Sequence, residues 1–352
     1  MISPQARHSV AAQRDPIVVL AADDRFAMPL AATVRSAIDN LAADARLRLY
    51  VLDGGIHQAT KQRLVQSWPA GRFDVEWVGV DPSAVADLPV SGHVNQISYY
   101  RILIPRLLPS DVERVIYLDA DLIIRADLAR LWRHDLSGLL CLAAQDCAAP
   151  YMDSSQVLDS YQQCRAYLGS PWPVPNFREL GLRPDAAYFN AGVLLVDLAA
   201  WRDADLARQM LACLEQNQPH IRWWDQYALN VVLAGRWGSL DLRWNQGAQI
   251  YQYPTWDQSP FDRQTFEQLR GDPYIVHFTT RHKPWLASCR HPLRGEFFQY
   301  VDRTAWAGWR PARMKVLFER IRAQERTLRR GRKWLQNRLR QWIAGSGQPA
   351  SG

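Results

Sequence analysis

Asp119 and Asp121 stand one residue apart at the end of the apolar run Arg114-Val115-Ile116-Tyr117-Leu118, and a second apolar run, Leu122-Ile123-Ile124, follows them. In an extended strand residues i and i+2 face the same way, so the two carboxylates converge if the chain stays extended. Carboxylates that close repel unless a cation lies between them. Mg²⁺ and Mn²⁺ are bound by carboxylate oxygen together with phosphate oxygen, so the chemistry indicated is metal-assisted work on a diphosphate. The plainer alternative is a solvated Asp-x-Asp turn after a buried strand.

The elements that must hold these residues follow a βαβ rhythm. Residues 17–22 predict a buried strand, 29–40 a helix with apolar spacing, and 47–52 a second strand. Phe73, Val75 and Trp77 alternate as a third strand does, and residues 96–108 read as a helix leading into the strand that carries Asp119. Further strand-like runs cover 192–198 and 274–278, with a helix over 203–215 between them. Short strands alternating with helices predict an α/β fold with a mostly parallel sheet and a site at the carboxyl ends of the strands. Residues 150–185, with Pro150, Pro171, Pro173, Pro175 and Pro184 among aromatics, break the rhythm and predict an inserted lid or acceptor loop.

Composition excludes several classes. The 352 residues are 48% hydrophobic, enough for a large core. No run approaches the roughly 20 apolar residues that span a bilayer, and residues 1–15 lack the apolar stretch of a signal peptide, so the expected location is cytosolic. Five scattered cysteines, odd in number and without a Cys-x-x-Cys pair, argue against a disulfide framework or a zinc site.

The net charge of +7 is unevenly spread. Residues 310–343 hold twelve Lys or Arg against two Glu, a net +10, which leaves −3 for everything else. Met314, Ile321, Leu328, Leu335 and Trp342 recur every seven residues in this arm, supported by Leu317, Phe318 and Leu339, with Arg and Lys on the other faces and Trp334 beside them. That pattern predicts a basic amphipathic helix lying on an anionic membrane surface. A partner-binding helix and a nucleic-acid arm are the alternatives; nucleic acid is the less expected partner.

Taken in order, the motifs resemble those of the retaining glycosyltransferases of family 8, the group that includes glycogenin and bacterial lipooligosaccharide α-galactosyltransferases. Leu20-Ala21-Ala22-Asp23-Asp24 is similar to the family's nucleotide-binding first strand, Tyr99-Tyr100-Arg101 to its Tyr-x-Arg helix, and Tyr117-Leu118-Asp119-Ala120-Asp121 to its metal motif. Phe189-Asn190-Ala191-Gly192-Val193 is similar to its sugar-contact strand, Asp225-Gln226 to its catalytic pair, and His277 with Lys283-Pro284-Trp285 to its closing metal and phosphate motif. The likeness covers residues 16–290.

The resemblance implies a GT-A type nucleotide-sugar-binding fold over residues 16–309, after a leader at 1–15 and before the arm at 310–352. It implies a Mn²⁺ or Mg²⁺ ion on Asp119, Asp121 and His277, a UDP-glucose or UDP-galactose donor contacted by Ala21, Asp23, Arg101, Asp146, Asn190, Ala191 and Lys283, and a glycan or glycolipid acceptor. Gln226 is expected beneath the anomeric carbon, where its amide oxygen is a poor nucleophile but can stabilise positive charge, which favours same-face attack with Asp225 orienting the sugar. In purely structural terms Asp23 and Asp225 could instead be helix N-caps, His277 a satisfied core histidine and Lys283 a solvated lysine. The family commonly has Asn where this chain has Arg25. A sugar-nucleotide or carbohydrate-binding protein that retains the fold without turnover is the competing reading.

Overall fold

The computed structural model describes residues 15–90 and 96–311; the predicted amphipathic helix of the arm lies outside them. The described residues divide into two units, one of residues 15–90 and 96–281 with 291–308 and a smaller one of residues 282–290 with 309–311. The larger unit is built on a seven-stranded sheet in the order β3-β2-β1-β4-β7-β6-β8, where β1 is Ile17–Ala22, β2 Leu47–Asp53, β3 Phe73–Gly79, β4 Arg114–Leu118, β6 Cys141–Gln145, β7 Phe189–Asp197 and β8 Trp237–Ser239. β3, β2, β1 and β4 run parallel, as the βαβ rhythm predicts. β7 is antiparallel to both β4 and β6. Its continuous apolar run is buried on both faces, so the sequence gives no sign of its direction.

Helix α1, Ala27–Asp39, covers one face with Leu30, Ala31, Val34 and Ile38, which are almost entirely buried. The other face carries the main core, where Val19, Tyr50, Tyr117 and Leu194 meet α2, Tyr100–Leu107, and α3, Trp224–Val232. The helix expected over 96–108 begins as a 3₁₀ turn at Gln96–Tyr99 before α2.

A second sheet, not predicted, has the order β5-β10-β9, with β5 Leu122–Ile124, β9 Gln246–Gly247 and β10 Ile275–His277. The chain therefore does not remain one extended strand through Asp119-Ala120-Asp121. It leaves the large sheet after Leu118 and enters the small one at Leu122. Asp119 N–H still donates to Gly192 O at 2.9 Å, which holds the break against β7. The outer edge of β5 has no strand beside it and is satisfied by α1. Leu122 N–H donates to Thr33 Oγ1 at 3.2 Å, Ile124 N–H to Ser36 Oγ at 2.9 Å, and Asn40 Nδ2 donates to Ile124 O at 3.0 Å. Thr33, Ser36 and Asn40 recur at helical spacing, so one stripe of α1 with its C-cap residue stands in for a strand at this edge.

Residues 150–185 are an ordered excursion rather than a plain loop. The bridge between Tyr151 and Ala187 closes its base. Buried Asp153 organises it, accepting from Ser155 N–H, Ser155 Oγ, Gln156 Nε2 and Trp172 Nε1.

Candidate active site

The break between the two sheets creates a junction where Asp119, Asp121 and His277, groups able to hold a metal ion, meet. His277 ends β10 and pairs with Leu122 on one side and Gly247 on the other, which brings its ring to the two aspartates. Its Nε2 lies 3.3 Å from Asp121 Oδ1 and 3.6 Å from Asp119 Oδ2. One ligand atom from each residue lies within 4.8 Å of the others. Gly192 makes room for them: a Cβ there would come within 2.2 Å of His277 Cε1 and 2.9 Å of Asp119 Oδ2. Two carboxylates and one imidazole in a cradle that admits no Cβ fit a divalent ion of the Mn²⁺ or Mg²⁺ kind.

Arg101 lies behind this cluster and is buried. Its Nη2 is 3.0 Å from Asp119 Oδ1, its Nε 2.7 Å from Asp225 Oδ2, its Nη1 donates to Ala191 O, and the guanidinium stacks 4.6 Å from the Tyr117 ring centroid. Tyr117 donates its hydroxyl to Asp119 Oδ1 at 3.0 Å. Every guanidinium nitrogen thus has a partner inside the protein, so the Arg101 charge braces Asp119 and Asp225. Burial pushes the Asp225 carboxyl up to about 6, with Arg101 opposing and Asp119 adding to the rise.

Asp225 is not a cap. The N-cap position of α3 is Trp223, and Asp225 lies in the first turn with its carboxylate turned to Arg101. The preceding Trp224 has φ +45°, a left-handed conformation costing about 1–3 kcal/mol for a bulky residue. α3 is tied to β7 by Asn230, which accepts from Phe189 N–H at 2.8 Å and donates to Phe189 O at 2.9 Å.

That clamp sets Gln226 against the motif strand. Gln226 Oε1 accepts from Ala191 N–H at 3.1 Å, and its Nε2 donates to Asp146 Oδ2 at 3.0 Å. Asp146, just past β6, also accepts from Asn190 Nδ2 at 3.0 Å and from Ala148 N–H at 2.7 Å. An amide oxygen has two lone pairs, so Gln226 keeps one acceptor position while its plane is fixed at both ends.

At the end of β1, Ala21 is half-buried and paired with Leu52. Asp23 does serve as a cap, accepting from Phe26 N–H at 3.0 Å through Oδ1. Its Oδ2 accepts from Arg25 Nε and Nη2 at 3.0 and 2.8 Å. Lys283 belongs to the smaller unit.

Sequence reasoning missed Asn245. It ends a short 3₁₀ turn, Leu242–Asn245, and its Oδ1 lies 2.8 Å from His277 Nδ1 while its Nδ2 donates to Asn190 Oδ1 at 3.0 Å. The one available signal was its place directly before the strand that pairs with His277, and a two-residue strand cannot be read from periodicity.

The mixed α/β architecture, with its mostly parallel central sheet flanked by helices, is of GT-A type. The family model described as Glycosyl transferase family 8 matches residues 17–289, and the chain belongs to that family. It is 29% identical to General stress protein A of Bacillus subtilis, covering 82% of this chain and 94% of that protein. It is 21% identical to lipopolysaccharide 1,2-glucosyltransferase of Escherichia coli, over 78% of this chain and 74% of the relative. Among solved structures, galactosyltransferase LgtC in complex with donor and acceptor sugar analogues superposes with a TM-score of 0.67 at 24% identity, covering 82% of this chain and 96% of LgtC.

Proposed function

We propose that this family 8 glycosyltransferase is a metal-dependent retaining hexosyltransferase that moves glucose or galactose from a UDP-sugar to a growing glycan or glycolipid of lipopolysaccharide type. The observation that carries the reading is the continuity of the site: the Asp119-Asp121-His277 cluster leads through Asn245 and Asn190 to Asp146 and Gln226 without a gap. One end has the chemistry of a diphosphate-bound cation and the other that of sugar hydroxyls.

Asp119, Asp121 and His277 would hold Mn²⁺ or Mg²⁺, which when bound stabilises the negative charge developing on the leaving nucleoside diphosphate. Asp146 and Asn190 face the sugar with oriented polar atoms. The free lone pair of Gln226 Oε1 is suited to an anomeric carbon that gains positive charge as the C–O bond to phosphate breaks. A neutral amide is a poor nucleophile, so the acceptor hydroxyl attacks from the face the phosphate leaves, and the departing phosphate oxygen takes its proton. Asp225 orients the sugar, while Asp23, Ala21 and Lys283 contact the nucleotide.

The acceptor class is supported by the lipopolysaccharide glucosyltransferase among the relatives. A place at the cytosolic face of a membrane is supported by the basic arm. No helix among the described residues is long and apolar enough to cross a membrane.

The experiment is a donor screen that measures UDP release from UDP-glucose, UDP-galactose and other UDP-sugars, with Mn²⁺, with Mg²⁺ and with EDTA. Metal-dependent release from one hexose donor is expected. UDP-sugar binding without any release would favour the binding protein over the enzyme.

A further inference from the structure

The polarity of every group between Asp146 and His277 is dictated by its neighbour. Asp146 as a carboxylate only accepts, so the Asn190 atom 3.0 Å from it must be the NH₂ group. Asn190 Oδ1 then faces the other way, where it accepts from Gly192 N–H at 3.0 Å and from Asn245. Asn245 must present its own NH₂ to that oxygen, which leaves Asn245 Oδ1 against His277 Nδ1 at 2.8 Å. An amide oxygen can only accept. His277 therefore carries a proton on Nδ1, and Nε2 is the ring nitrogen turned to Asp119 and Asp121.

The backbone around Asn245 is held as tightly as its side chain. Asp241 caps the turn through Arg243 N–H at 2.9 Å, Tyr274 N–H donates to Arg243 O at 2.9 Å, and the next residues enter β9 beside His277. Asn245 is 2% exposed, so no water-facing rotamer competes.

We propose that Asn245 is a positioning residue that fixes the rotation of His277 by accepting from its Nδ1–H and couples this ligand to the donor-sugar amide of Asn190. The coupling rests on the reading that Asp119, Asp121 and His277 hold a divalent ion; the positioning of the ring does not. Neighbours of metal-bound imidazoles typically change metal affinity by about 10- to 100-fold when removed. Asn245 supplies this through an amide whose other end reports on the sugar strand, so a shift of Asn190 on donor binding reaches the ligand ring through two hydrogen bonds.

The test uses full-length protein labelled with ¹⁵N-histidine, in which His277 is assigned by its loss in His277→Gln. Wild type is expected to show an Nδ1–H of His277 protected from solvent exchange by its hydrogen bond, and Asn245→Leu, similar in size but without polar atoms, to lose that protection. Mn²⁺ titrated in the presence of UDP and followed by electron paramagnetic resonance should bind Asn245→Leu about tenfold or more weakly than wild type. Asn245→Asp separates the two ends of the relay, and also serves if the leucine variant fails to fold. It keeps an acceptor for Nδ1–H, so the protected Nδ1–H and Mn²⁺ affinity are retained, but it cannot donate to Asn190, so preference for a UDP-hexose over UDP falls. No protected Nδ1–H in wild type, or unchanged protection and Mn²⁺ affinity in Asn245→Leu, overturns the proposal. Failure of wild type to bind Mn²⁺ at all would remove the metal-site reading and the coupling with it, while the Nδ1–H comparison still decides the positioning role.

Discussion

The Arg101 Nε atom lies 2.7 Å from Asp225 Oδ2, yet its N–H is aimed at the Ser98 carbonyl at 3.1 Å. The two buried charges therefore attract without an aligned hydrogen bond, and Asp225 Oδ2 has no hydrogen-bond donor among the described residues. A buried carboxylate oxygen without a donor is poorly compensated for lost hydration. That is why burial outweighs the guanidinium and its carboxyl sits high.

A pH dependence follows from the same pair. The carboxyl ionises at 3.8 when unperturbed and at about 6 in the folded protein. As pH rises between those values, the unfolded chain releases its proton first, so the native state loses stability until pH exceeds the folded value. Asn at this position has no proton to lose. Asp225→Asn should therefore gain stability relative to wild type between about pH 4 and pH 7, by about 2–3 kcal/mol. Thermal unfolding of both proteins across that range measures it, and a stability difference that does not vary with pH would refute it.

Loss of one metal-site carboxylate should remove activity without unfolding the protein. Metal stabilisation of a leaving group contributes several kcal/mol, so Asp121→Asn should lower UDP release at least about 100-fold. Asp119→Asn should do the same and also lower the melting temperature, because Asp119 is a partner of both Arg101 and Tyr117. Transfer in EDTA, or in Asp121→Asn, at the wild-type rate would exclude the assignment.

Gly192→Ala tests the cradle rather than the ligands. The added methyl would meet His277 Cε1 at 2.2 Å, closer than packed carbons approach, and the ring is held from the other side by Asn245. Mn²⁺ affinity should fall about tenfold or more while unfolding stability falls by only about 1–3 kcal/mol. Wild-type Mn²⁺ affinity would mean that the ring can yield and that the glycine is not what shapes the site.

Gln226→Ala should lower turnover about 100-fold or more while UDP affinity changes little, since the amide is fixed against Ala191 and Asp146 and is assigned to the sugar. Product analysis adds a second check. Equal losses in turnover and UDP affinity would move Gln226 to the nucleotide, and a β-linked product would overturn same-face attack.

Long buried runs made much of this architecture readable. Residues 17–22 and 47–52 are strands because their apolar residues pack on both faces, and the motif residues follow at strand ends where an α/β fold exposes them. The small sheet was not readable, because strands of two or three residues such as Gln246–Gly247 carry no period. Without it, the convergence of His277 with the aspartates could be expected only from resemblance. Asp119 and Asp121 were expected to converge along one extended strand; they converge across a change of sheet, held by Thr33 and Gly192. The burial of Arg101 between two acids on distant segments leaves no local sequence mark. Asn245 reads as an ordinary turn residue for the same reason.

The arm should account for membrane association. Residues outside 310–343 sum to −3, so little attraction to anionic lipid remains once that segment is removed, whereas the segment itself combines an apolar stripe with ten net positive charges. Each Lys or Arg near an anionic surface contributes about 1 kcal/mol, screened within a Debye length of about 8–10 Å at physiological salt. Truncation before Arg310 should give a protein that still releases UDP slowly from its donor but no longer sediments with phosphatidylserine vesicles, while the full chain binds them at low salt and dissociates as salt rises. Equal sedimentation of both proteins would assign membrane binding to the body of the enzyme. No sedimentation of the full chain at low salt would make the arm a partner-binding helix, for which the same stripe would pack against protein instead of lipid.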